Sequence, residues 1–503
     1  MAEPGVAGVA EPERSAPGGG KVGLLIGVLV VAAFVMVLNE TIISVALPRL
    51  AVDLSVSATT VQWLTSGFLL TMAVVIPTTG YLLERFTPRT IFITSLTLFS
   101  AGALICAVAP GFAVLLIGRV VQAGGTAVMI PLLMTSVMRL VPVERRGAIM
   151  GTISIVIAVA PAVGPTIGGA VLAWLGWRAM FGLVLVLSVV MLVIGATRLR
   201  LASTTRAIPL DVISVVLSAV GFSGLVFGFS TIGGPNAVVA PWIPIVVGAV
   251  VLAAFVWRQL RLQRQDRALL DLRPLTHRPF LIAVILSVLM FMALLGAAGI
   301  LLPLYLENVL GYGTFGAGLA VLPGGLVLGA LSRPVGRLYD RVGARPLVIP
   351  GSIGMAASLW LFTLVGAGTP VAVAIAIHIL LMASLGLMMT PLMTEALGAL
   401  PGHLYSHGSA IMTTLQQVAG ALGTAVFVAV AALGSAAAAA GTTDAAGLRL
   451  AFILAGSIGV LAVVVAFLIR SVPAGGPDPS AEPHPARNAA PSDEIPQDAV
   501  RPQ

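Results

Sequence analysis

The chain has 503 residues, of which 58% are hydrophobic and only 9% are charged. A water-soluble protein cannot cover its surface from such a composition, so a soluble enzyme or binding domain is excluded. The formal net charge of +8 comes from arginines in separate short segments rather than from one continuous basic patch. This distribution excludes a nucleic-acid-binding surface.

Apolar segments of about 20 residues, the length that an α-helix needs to cross a bilayer core of ~30 Å, follow one another from Lys21 to Arg470. The predicted spans are 22–47, 58–82, 90–109, 112–137, 148–172, 178–198, 208–231, 241–258, 279–305, 314–337, 346–365, 371–393, 407–434 and 447–470. The pattern predicts an all-α membrane protein with about 14 transmembrane helices.

Arginines concentrate in alternate connectors between these spans. The arginine-rich connectors hold Arg85, Arg89, Arg139, Arg145, Arg146, Arg198, Arg200, Arg206, Arg258, Arg261, Arg264, Arg267, Arg273, Arg278, Arg337, Arg341, Arg345 and Arg470. Short connectors with this bias stay on the cytoplasmic side of the membrane. We therefore expect a multi-pass protein of a bacterial inner (cytoplasmic) membrane, with an even number of crossings and both termini in the cytoplasm.

Composition divides the chain into five segments. Residues 1–20 and 471–503 are rich in Pro, Gly, Ala and Ser, and we predict them to be disordered cytoplasmic tails. Residues 21–200 and 279–470 are predicted to form an N-terminal and a C-terminal six-helix bundle. Residues 201–278 are predicted to supply two additional helices and a basic cytoplasmic linker.

The basic linker has a regular charge pattern. Its arginines recur at every third position: Arg258, Arg261, Arg264 and Arg267. This spacing indicates either a helix lying on the inner membrane face, with its arginines near anionic headgroups, or a solvated orientation signal without a ligand.

Charged residues inside a span are costly, by about 2.5–3.5 kcal/mol at the helix centre on insertion scales, and therefore indicate function. Glu40 lies inside the first span, and Arg119 lies inside the fourth. A buried carboxyl group can hold either a proton or a cationic ligand, so Glu40 is a candidate proton-coupling residue; a neutral, hydrogen-bonded structural Glu is the alternative. Arg119 needs a partner or a water-filled cavity, and Glu40 and Gln122 are candidate partners.

The fifth span combines small residues with a proline. Glycines four residues apart let two helix backbones approach closely, whereas a proline removes a helix hydrogen bond and bends the segment. The cluster consists of Gly151, Gly164, Pro165, Gly168 and Gly169. We expect a close-packed, kinked contact that can seal or hinge, with plain small-residue packing as the alternative.

A repeat relates the two predicted bundles. The pattern Gly-x-x-x-acid-Arg-x-x-x-Arg follows the second span of each bundle. Its members are Gly80, Glu84, Arg85 and Arg89 in the first copy and Gly336, Asp340, Arg341, Gly343 and Arg345 in the second. Parallel repeats of this kind are typical of transporters that bind their substrate between two bundles.

Other polar residues are candidates for the lining of a substrate cavity. They are Asn39, Gln122, Glu307, His378, Gln416 and Gln417, of which the last two are predicted to open the thirteenth span. The alternatives are a packing role for His378 and a solvated position at the membrane interface for Glu307. His403 and His407 lack a third ligand, so we predict no metal site. Without a Walker A motif or a catalytic constellation, neither a cofactor nor enzymatic activity is expected.

Taken together, these motifs resemble the major facilitator superfamily, and within it the fourteen-span drug:proton antiporters of the lincomycin-resistance type. The resemblance covers roughly residues 22–470. It implies the major facilitator fold, with two six-helix bundles plus two additional helices. In that family the loop that resembles Gly336 to Arg345 latches the cytoplasmic gate; the first copy has Glu84 in place of the usual Asp.

The resemblance also implies roles for residues inside the spans. Arg119 matches a fourth-helix arginine that is linked in the family to proton coupling, and the fifth-span cluster matches the antiporter signature. In the first helix Asn39 occupies the position of the usual Asp, and Glu40 is shifted by one residue, about 100° around the helix.

These observations predict a proton-coupled multidrug efflux transporter that exports amphipathic or cationic compounds by alternating access. Its expected partners are a small-molecule substrate, protons and membrane lipids, and not nucleic acid; the oligomeric state stays open. One alternative is an exporter of an endogenous lipid or metabolite. A second is a membrane sensor or scaffold that does not transport.

Overall fold

The computed structural model describes residues 19–198, 209–230, 240–437 and 443–469. Every regular element in this part of the chain is a helix. The long helices are α1 Gly19–Asp53, α2 Trp63–Arg85, α3 Pro88–Ala107, α4 Phe112–Leu140, α5 Arg146–Leu175, α6 Trp177–Arg198, α7 Val212–Ser230, α8 Trp242–Leu262, α9 Arg278–Val309, α10 Thr314–Val342, α11 Arg345–Leu361, α12 Val371–Gly398, α13 Tyr405–Ala437 and α14 Thr443–Ala466. The all-α fold class predicted from the sequence is confirmed.

Within the described residues, 13 helices are long and apolar enough to cross a membrane, and the count rises to 14 when the bent α5 is taken as one span. The predicted tails fall almost entirely on residues 1–18 and 470–503, which lie outside the described residues. Following the predicted division, α1–α6 are called the first bundle and α9–α14 the second bundle.

Small residues bring the helices of the first bundle together. Where α3 crosses α4, a Cβ atom on Gly102 would meet the Gly118 carbonyl oxygen at 2.6 Å, so only glycine fits there. Next to it, the Ser95 hydroxyl donates a hydrogen bond to the Gly125 carbonyl at 2.6 Å. Close backbone approach of this kind is how helices associate where no hydrophobic driving force exists between them. The helices α3 and α4 are therefore closely packed along this contact.

The two additional helices pack against each other and against α2. A Cβ atom on Gly224 of α7 would meet Gly248 Cα of α8 at 3.0 Å, which shows how close the two backbones lie. At the other contact, the rings of Trp63 in α2 and Phe227 in α7 stack with centroids 5.9 Å apart. At the inner end, Arg258 of α8 donates two hydrogen bonds to the carboxylate of Asp211, each at 2.8 Å.

Of the two alternatives for the basic linker, the structure does not contain the continuous surface helix. Arg258 and Arg261 belong to the last turns of α8, and after a short 3₁₀ turn the chain reverses at Asp266, which has a left-handed φ of 50°. Gln259 holds the returning segment by accepting hydrogen bonds from the backbone N–H groups of Leu269 and Leu270 at 2.9 and 3.2 Å. Gln259 thus holds the linker against α8, whereas Arg258 binds Asp211 just before α7 and Arg261 lies over the Trp257 ring of α8.

In the second bundle, the first helix is irregular. After a regular first part, α9 widens into π-helical turns over Met292–Leu301 and Tyr305–Val309. Opposite the first of these, Gly423 of α13 lies so close that a Cβ atom there would meet Met292 Cα at 2.8 Å. π-Helical turns are frequent at functional sites because they displace side chains from regular positions.

The two bundles meet at the end of the molecule that carries the arginine-rich connectors, which we call the arginine-rich end. The longest contact joins α5 to α10, where a Cβ atom on Gly151 would meet Arg333 Cα at 3.0 Å. The hydrogen bonds that cross between the bundles in the described residues are Thr135–Ser409 at 3.1 Å, Arg139–Ser406 at 3.2 Å, Thr390–Ser154 at 2.9 Å and those of Glu84 and Asp340. All of them lie in the arginine-rich half of their helices, so this conformation is closed at that end.

Candidate functional site

Arg119 is fully buried inside the first bundle. On α4, its Nε donates to the Leu64 carbonyl oxygen at 3.2 Å and its Nη1 donates to Gln122 Oε1 at 3.2 Å. The guanidinium carbon lies 4.1 Å from the centre of the Phe68 ring, a cation–π contact that stabilises the charge away from water. The predicted partner Gln122 is confirmed as a direct contact, whereas the Leu64 carbonyl and the Phe68 ring have no sequence signature.

Glu40 lies half-buried on α1 and interacts electrostatically with Arg119. The two groups interact through space, because Arg119 Nη2 has no hydrogen-bond partner and its other donors reach Leu64 and Gln122. An acid that is only partly covered and faces a fixed cation can exchange a proton with a neighbouring space without losing all stabilisation of its anion. This pair is the chemical centre of the first bundle.

The bent helix α5 positions α1 at this centre. The axis of α5 turns by 45° between Val143–Pro161 and Thr166–Leu175, as the predicted proline kink requires. Beyond the bend, a Cβ atom on Gly168 would meet the Ile42 carbonyl oxygen at 3.0 Å. Gly164 abuts Thr41, whose hydroxyl donates to the Leu38 carbonyl at 3.0 Å. The glycines therefore press α5 against the two residues that follow Glu40.

The two ends of α5 make different contacts. Its first part contacts α10 of the second bundle through Gly147 and Gly151, and its last part contacts α1 through Gly164 and Gly168. A movement of α10 relative to the first bundle would thus reach the surroundings of Glu40 through one bent helix. Gly169 has ordinary packing space, with Val45 at 3.9 Å from a Cβ atom there.

Buried polar atoms without a partner gather in the first bundle. Among the described residues these are Asn39 Nδ2, Thr65 Oγ1, Arg119 Nη2 and Gln122 Nε2, together with His378 Nδ1 and Thr414 Oγ1 in the second bundle. Each such group costs about 1–3 kcal/mol when it is left unsatisfied. Three of the first four are nitrogen donors, which suits a water or a ligand that carries oxygen acceptors.

The candidates of the second bundle lie apart from Glu40. His378 is buried, and its Nε2 lies 3.2 Å from the Val321 carbonyl oxygen. Glu307 is half-buried in the last widened turn of α9. No hydrogen bond or ion pair within the described residues joins either of them to Glu40 or Arg119.

The sequence predicted that Gln416 and Gln417 open the thirteenth span, but the structure places them elsewhere. Because α13 begins at Tyr405, both lie about three turns inside the helix. Pro401 and Gly402 form the turn that immediately precedes α13. Gln416 is buried and donates to the Ser287 hydroxyl at 2.8 Å, whereas Gln417 is half-buried.

The acid of the second repeat caps a helix of the other bundle. Both carboxylate oxygens of Asp340 accept hydrogen bonds from the first turn of α5, from the Gly147 N–H at 2.7 Å and the Ala148 N–H at 2.9 Å. These are two of the free donors at a helix N-terminus, where a negative charge is stabilised. Gly343 ends α10 with a φ of 77°, a conformation that favours glycine.

The acid of the first repeat has a different partner. Glu84 Oε1 lies 3.1 Å from His407 Nε2 on α13, with 17% and 6% of the two side chains exposed. The arginines of the repeats lie at the surface or bind locally. Arg89 donates to the Ala196 carbonyl at 2.7 Å, and Arg341 and Arg345 are exposed.

Two groups at this end were missed from the sequence. His407 was considered only as a metal ligand, and no cluster suited to a metal exists among the described residues. Glu395 accepts a hydrogen bond from the Tyr339 hydroxyl at 3.0 Å. Its helix was predicted to end at 393 and continues to Gly398, so an acid expected in a connector lies inside α12.

Comparison with known proteins agrees with this architecture. The family model of the Major Facilitator Superfamily matches residues 29–424. The chain is 39% identical to Lincomycin resistance protein LmrB of Listeria monocytogenes over 428 residues, which are 84% of this chain and 89% of that protein. It is 31% identical over 427 residues to Multidrug resistance protein B homolog of Mycobacterium tuberculosis, with 82% and 77% of the chains covered.

Solved structures show the same fold at low sequence identity. The major facilitator superfamily proton:xylose symporter XylE aligns with a TM-score of 0.63 and 16% identity over 91% of this chain and 98% of that chain. The human organic anion transporter MFSD10 (TETRAN) aligns with a TM-score of 0.62 and 14% identity over 90% and 100%. The sequence-based recognition is therefore confirmed: this chain is a multi-pass membrane transporter and belongs to the Major Facilitator Superfamily.

Proposed function

We propose that the protein is a proton-coupled multidrug efflux transporter of a bacterial cytoplasmic membrane, which exports amphipathic, often cationic compounds by alternating access. The names of its relatives, which describe lincomycin resistance and multidrug resistance, support the substrate class. Both termini would lie in the cytoplasm, on the side of the arginine-rich end.

The observation that carries the proposal is the Glu40–Arg119 pair. A half-buried carboxylate faces a fully buried arginine through space, among buried polar atoms that lack partners. A carboxylate in this setting can be neutralised by a proton or by a cationic ligand, but not easily by both. Competition between the two occupants for Glu40 is the minimum requirement for antiport.

Arg119 would hold the site at a fixed positive potential. Its contacts with Leu64, Gln122 and Phe68 keep the guanidinium in place whether Glu40 is charged or neutral. Without this cation, burial would favour the protonated form of Glu40 and the proton would not be released. Arg119 thus tunes the release of the proton, and Asn39 and Gln122 are the nearest candidates to hold substrate oxygens.

Alternating access would follow from the contacts between the bundles. In the closed conformation described above, an external proton reaches Glu40 and displaces the substrate outward. Opening of the arginine-rich end then releases the proton to the cytoplasm. Each net charge that crosses the membrane supplies about 2.3 kcal/mol per 100 mV. One-for-one exchange of a proton for a monovalent cation moves no net charge and is driven by the pH gradient alone.

Transport into inside-out vesicles with an imposed pH gradient tests the proposal. Glu40→Gln keeps the size and hydrogen-bonding capacity of the side chain and removes its charge, so we expect proton-driven dye or lincomycin uptake to be lost at normal protein levels. Glu307→Gln, which changes a half-buried acid that no hydrogen bond or ion pair among the described residues joins to Arg119, is the matched control and should transport normally.

Full activity of the Glu40→Gln variant would remove Glu40 from the mechanism. Export of an endogenous lipid or metabolite is the alternative substrate class. It would be favoured if the purified protein bound phospholipid or lipid-like compounds more tightly than dyes and lincomycin.

A further inference from the structure

His407 contacts two separate parts of the chain, α2 and the linker before α9, at the arginine-rich end. Its Nε2 lies 3.1 Å from Glu84 Oε1 on α2 of the first bundle. Its Nδ1 lies 3.2 Å from the backbone nitrogen of Asp271 in the linker before α9. The ring also fills the space beside Gly80, where a Cβ atom would meet His407 Cα at 3.4 Å and the ring more closely.

These contacts determine where the proton of the ring lies. The backbone N–H of Asp271 can only donate, so Nδ1 must accept and carries no hydrogen. The remaining N–H of a neutral imidazole is then at Nε2, where it donates to the Glu84 carboxylate. One neutral tautomer satisfies both contacts, and no other protonation state does.

Protonation at Nδ1 changes the two contacts in opposite directions. It places an N–H group against the N–H of Asp271 and breaks that bond. It also converts the bond to Glu84 into an ion pair between two nearly buried groups, and charge-assisted hydrogen bonds are roughly twice as strong as neutral ones. The contact with Glu84 joins the two bundles, whereas the contact with Asp271 joins α13 to the linker.

Other charged groups lie around the two partners of His407. Arg139 of α4 interacts with Glu84 and donates to the Ser406 hydroxyl, and Tyr405 precedes His407 on its own helix. In the linker, the Asp271 side chain accepts from the Arg273 N–H at 2.8 Å and lies beside the Arg273 guanidinium. On the neighbouring α7 and α8, Asp211 and Arg258 pair with each other. An imidazole is the type of side chain that gains or loses its charge between about pH 5 and pH 8.

We infer that His407 is a pH-dependent latch, which a proton from the cytoplasm switches from a bond with the linker to an ion pair between the bundles. Acidification of the cytoplasm holds the arginine-rich end closed and frees the linker at Asp271. The transporter then opens less often to an acidic cytoplasm, which limits proton entry when the cell interior is already acidic. This inference rests on the orientation and the proton coupling proposed above, but not on which compound is exported.

Distances across the closed end test the latch. Phe86 and Gly402 are exposed on the two sides of the junction, so spin labels at Phe86→Cys and Gly402→Cys report its opening once the single Cys106 is replaced by Ala. Double electron–electron resonance in nanodiscs without substrate is recorded at about pH 8 and about pH 6, on either side of the ordinary histidine pKa of ~6.5.

We expect the ratio of closed to open molecules to rise about fivefold on acidification. His407→Gln retains a donor for Glu84 and an acceptor for Asp271 but cannot be protonated, so its ratio should not change with pH. His403→Gln, four residues earlier at an exposed position, is the matched control and should keep the full response.

Hydrogen exchange provides a second measurement, in which amide protection should fall while the ratio of closed to open molecules rises. After correction for intrinsic exchange rates, protection of the amide of Asp271 should fall on acidification in the wild type and stay constant in His407→Gln. A response that survives in His407→Gln, or that opens the arginine-rich end at low pH, would overturn the inference.

The latch is separated from the transport site by repeating the distances in a Glu40→Gln background. The response to pH should persist there, because it originates at His407. If Glu40→Gln abolished it while His407→Gln left it intact, the latch would be refuted and the proposed coupling role of Glu40 would stand.

Discussion

The two repeats of the gate pattern hold their acids in different ways. Asp340 in the second bundle binds two backbone N–H groups at the start of α5, whereas Glu84 in the first bundle binds the ring of His407. Backbone amides keep their hydrogens at every physiological pH, but an imidazole does not. Two loops with the same sequence pattern thus make one contact with backbone groups and one with a side chain that can gain a proton.

The largest effects are expected from alanine substitutions at the glycine that begins each repeat, and they test what each loop packs against. A Cβ atom on Gly336 would meet the backbone of Gly147 and Ala148, and one on Gly80 would meet the His407 ring. Both Gly336→Ala and Gly80→Ala should destabilise the closed end, by about 3 and about 2 kcal/mol respectively. Thermal unfolding in detergent and the spin-label distances measure the effect.

The comparison then predicts different rescue behaviour. Adding His407→Ala should restore Gly80→Ala, because the obstructing ring is removed. No side-chain truncation should restore Gly336→Ala, since backbone atoms block that site. Equal rescue of both variants would show that the two loops do not differ in the way described.

Removing the charge of each acid should give a smaller effect. Asp340→Asn removes the negative charge, and its single amide oxygen can accept only one of the two hydrogen bonds well. We therefore expect the closed conformation to lose about 2 kcal/mol of stability. Glu84→Gln still accepts from His407 Nε2 and should lose about 1 kcal/mol. The ratio of closed to open molecules at about pH 8 measures both effects. A larger loss for Glu84→Gln would contradict the assignment.

The smallest effect is expected at a third inner contact, the pair of Asp211 and Arg258. Hydrogen bonds from Arg258, and also from Ser214, hold the pKa of Asp211 below its usual range. The stabilisation is present above the ordinary pKa of the carboxyl group and is lost only as pH falls through the lowered folded value. Asp211→Asn should cost about 1 kcal/mol near neutral pH, with little change between about pH 6 and pH 8.

This pair serves as the reference for the latch. Thermal unfolding of the Asp211→Asn variant across that range should run parallel to the wild type, because the folded and unfolded carboxyl groups are both ionised there. A strong difference in pH dependence would mean that the inner ends of α7 and α8 take part in the switch.

Much of the fold follows from the sequence because apolar length and arginine bias are local properties. The spans, the bend of α5 and the pairing of Arg119 with Gln122 each depend on residues within a single helix. Partners that are distant in sequence are not. His407 lies 323 positions from Glu84 in the chain, and nothing in either motif indicates that the two side chains meet.

Helix boundaries caused the remaining errors. Glu395 was expected in a connector because the predicted span ended at 393, whereas α12 continues to Gly398. Gln416 was expected at the opening of the thirteenth span but lies well inside α13, which begins at Tyr405. The surface helix failed for a related reason, since α8 carries Arg258 and Arg261 and the linker then folds back at Asp266. Arginines that bind protein groups and arginines that face lipid headgroups look the same in a sequence.

The central claim, that Glu40 exchanges a proton for substrate, is tested most directly by proton release from the purified transporter. Titration with a cationic dye or lincomycin in weakly buffered solution should release about one proton per bound ligand from the wild type and none from Glu40→Gln. Equal proton release from both proteins would contradict the account.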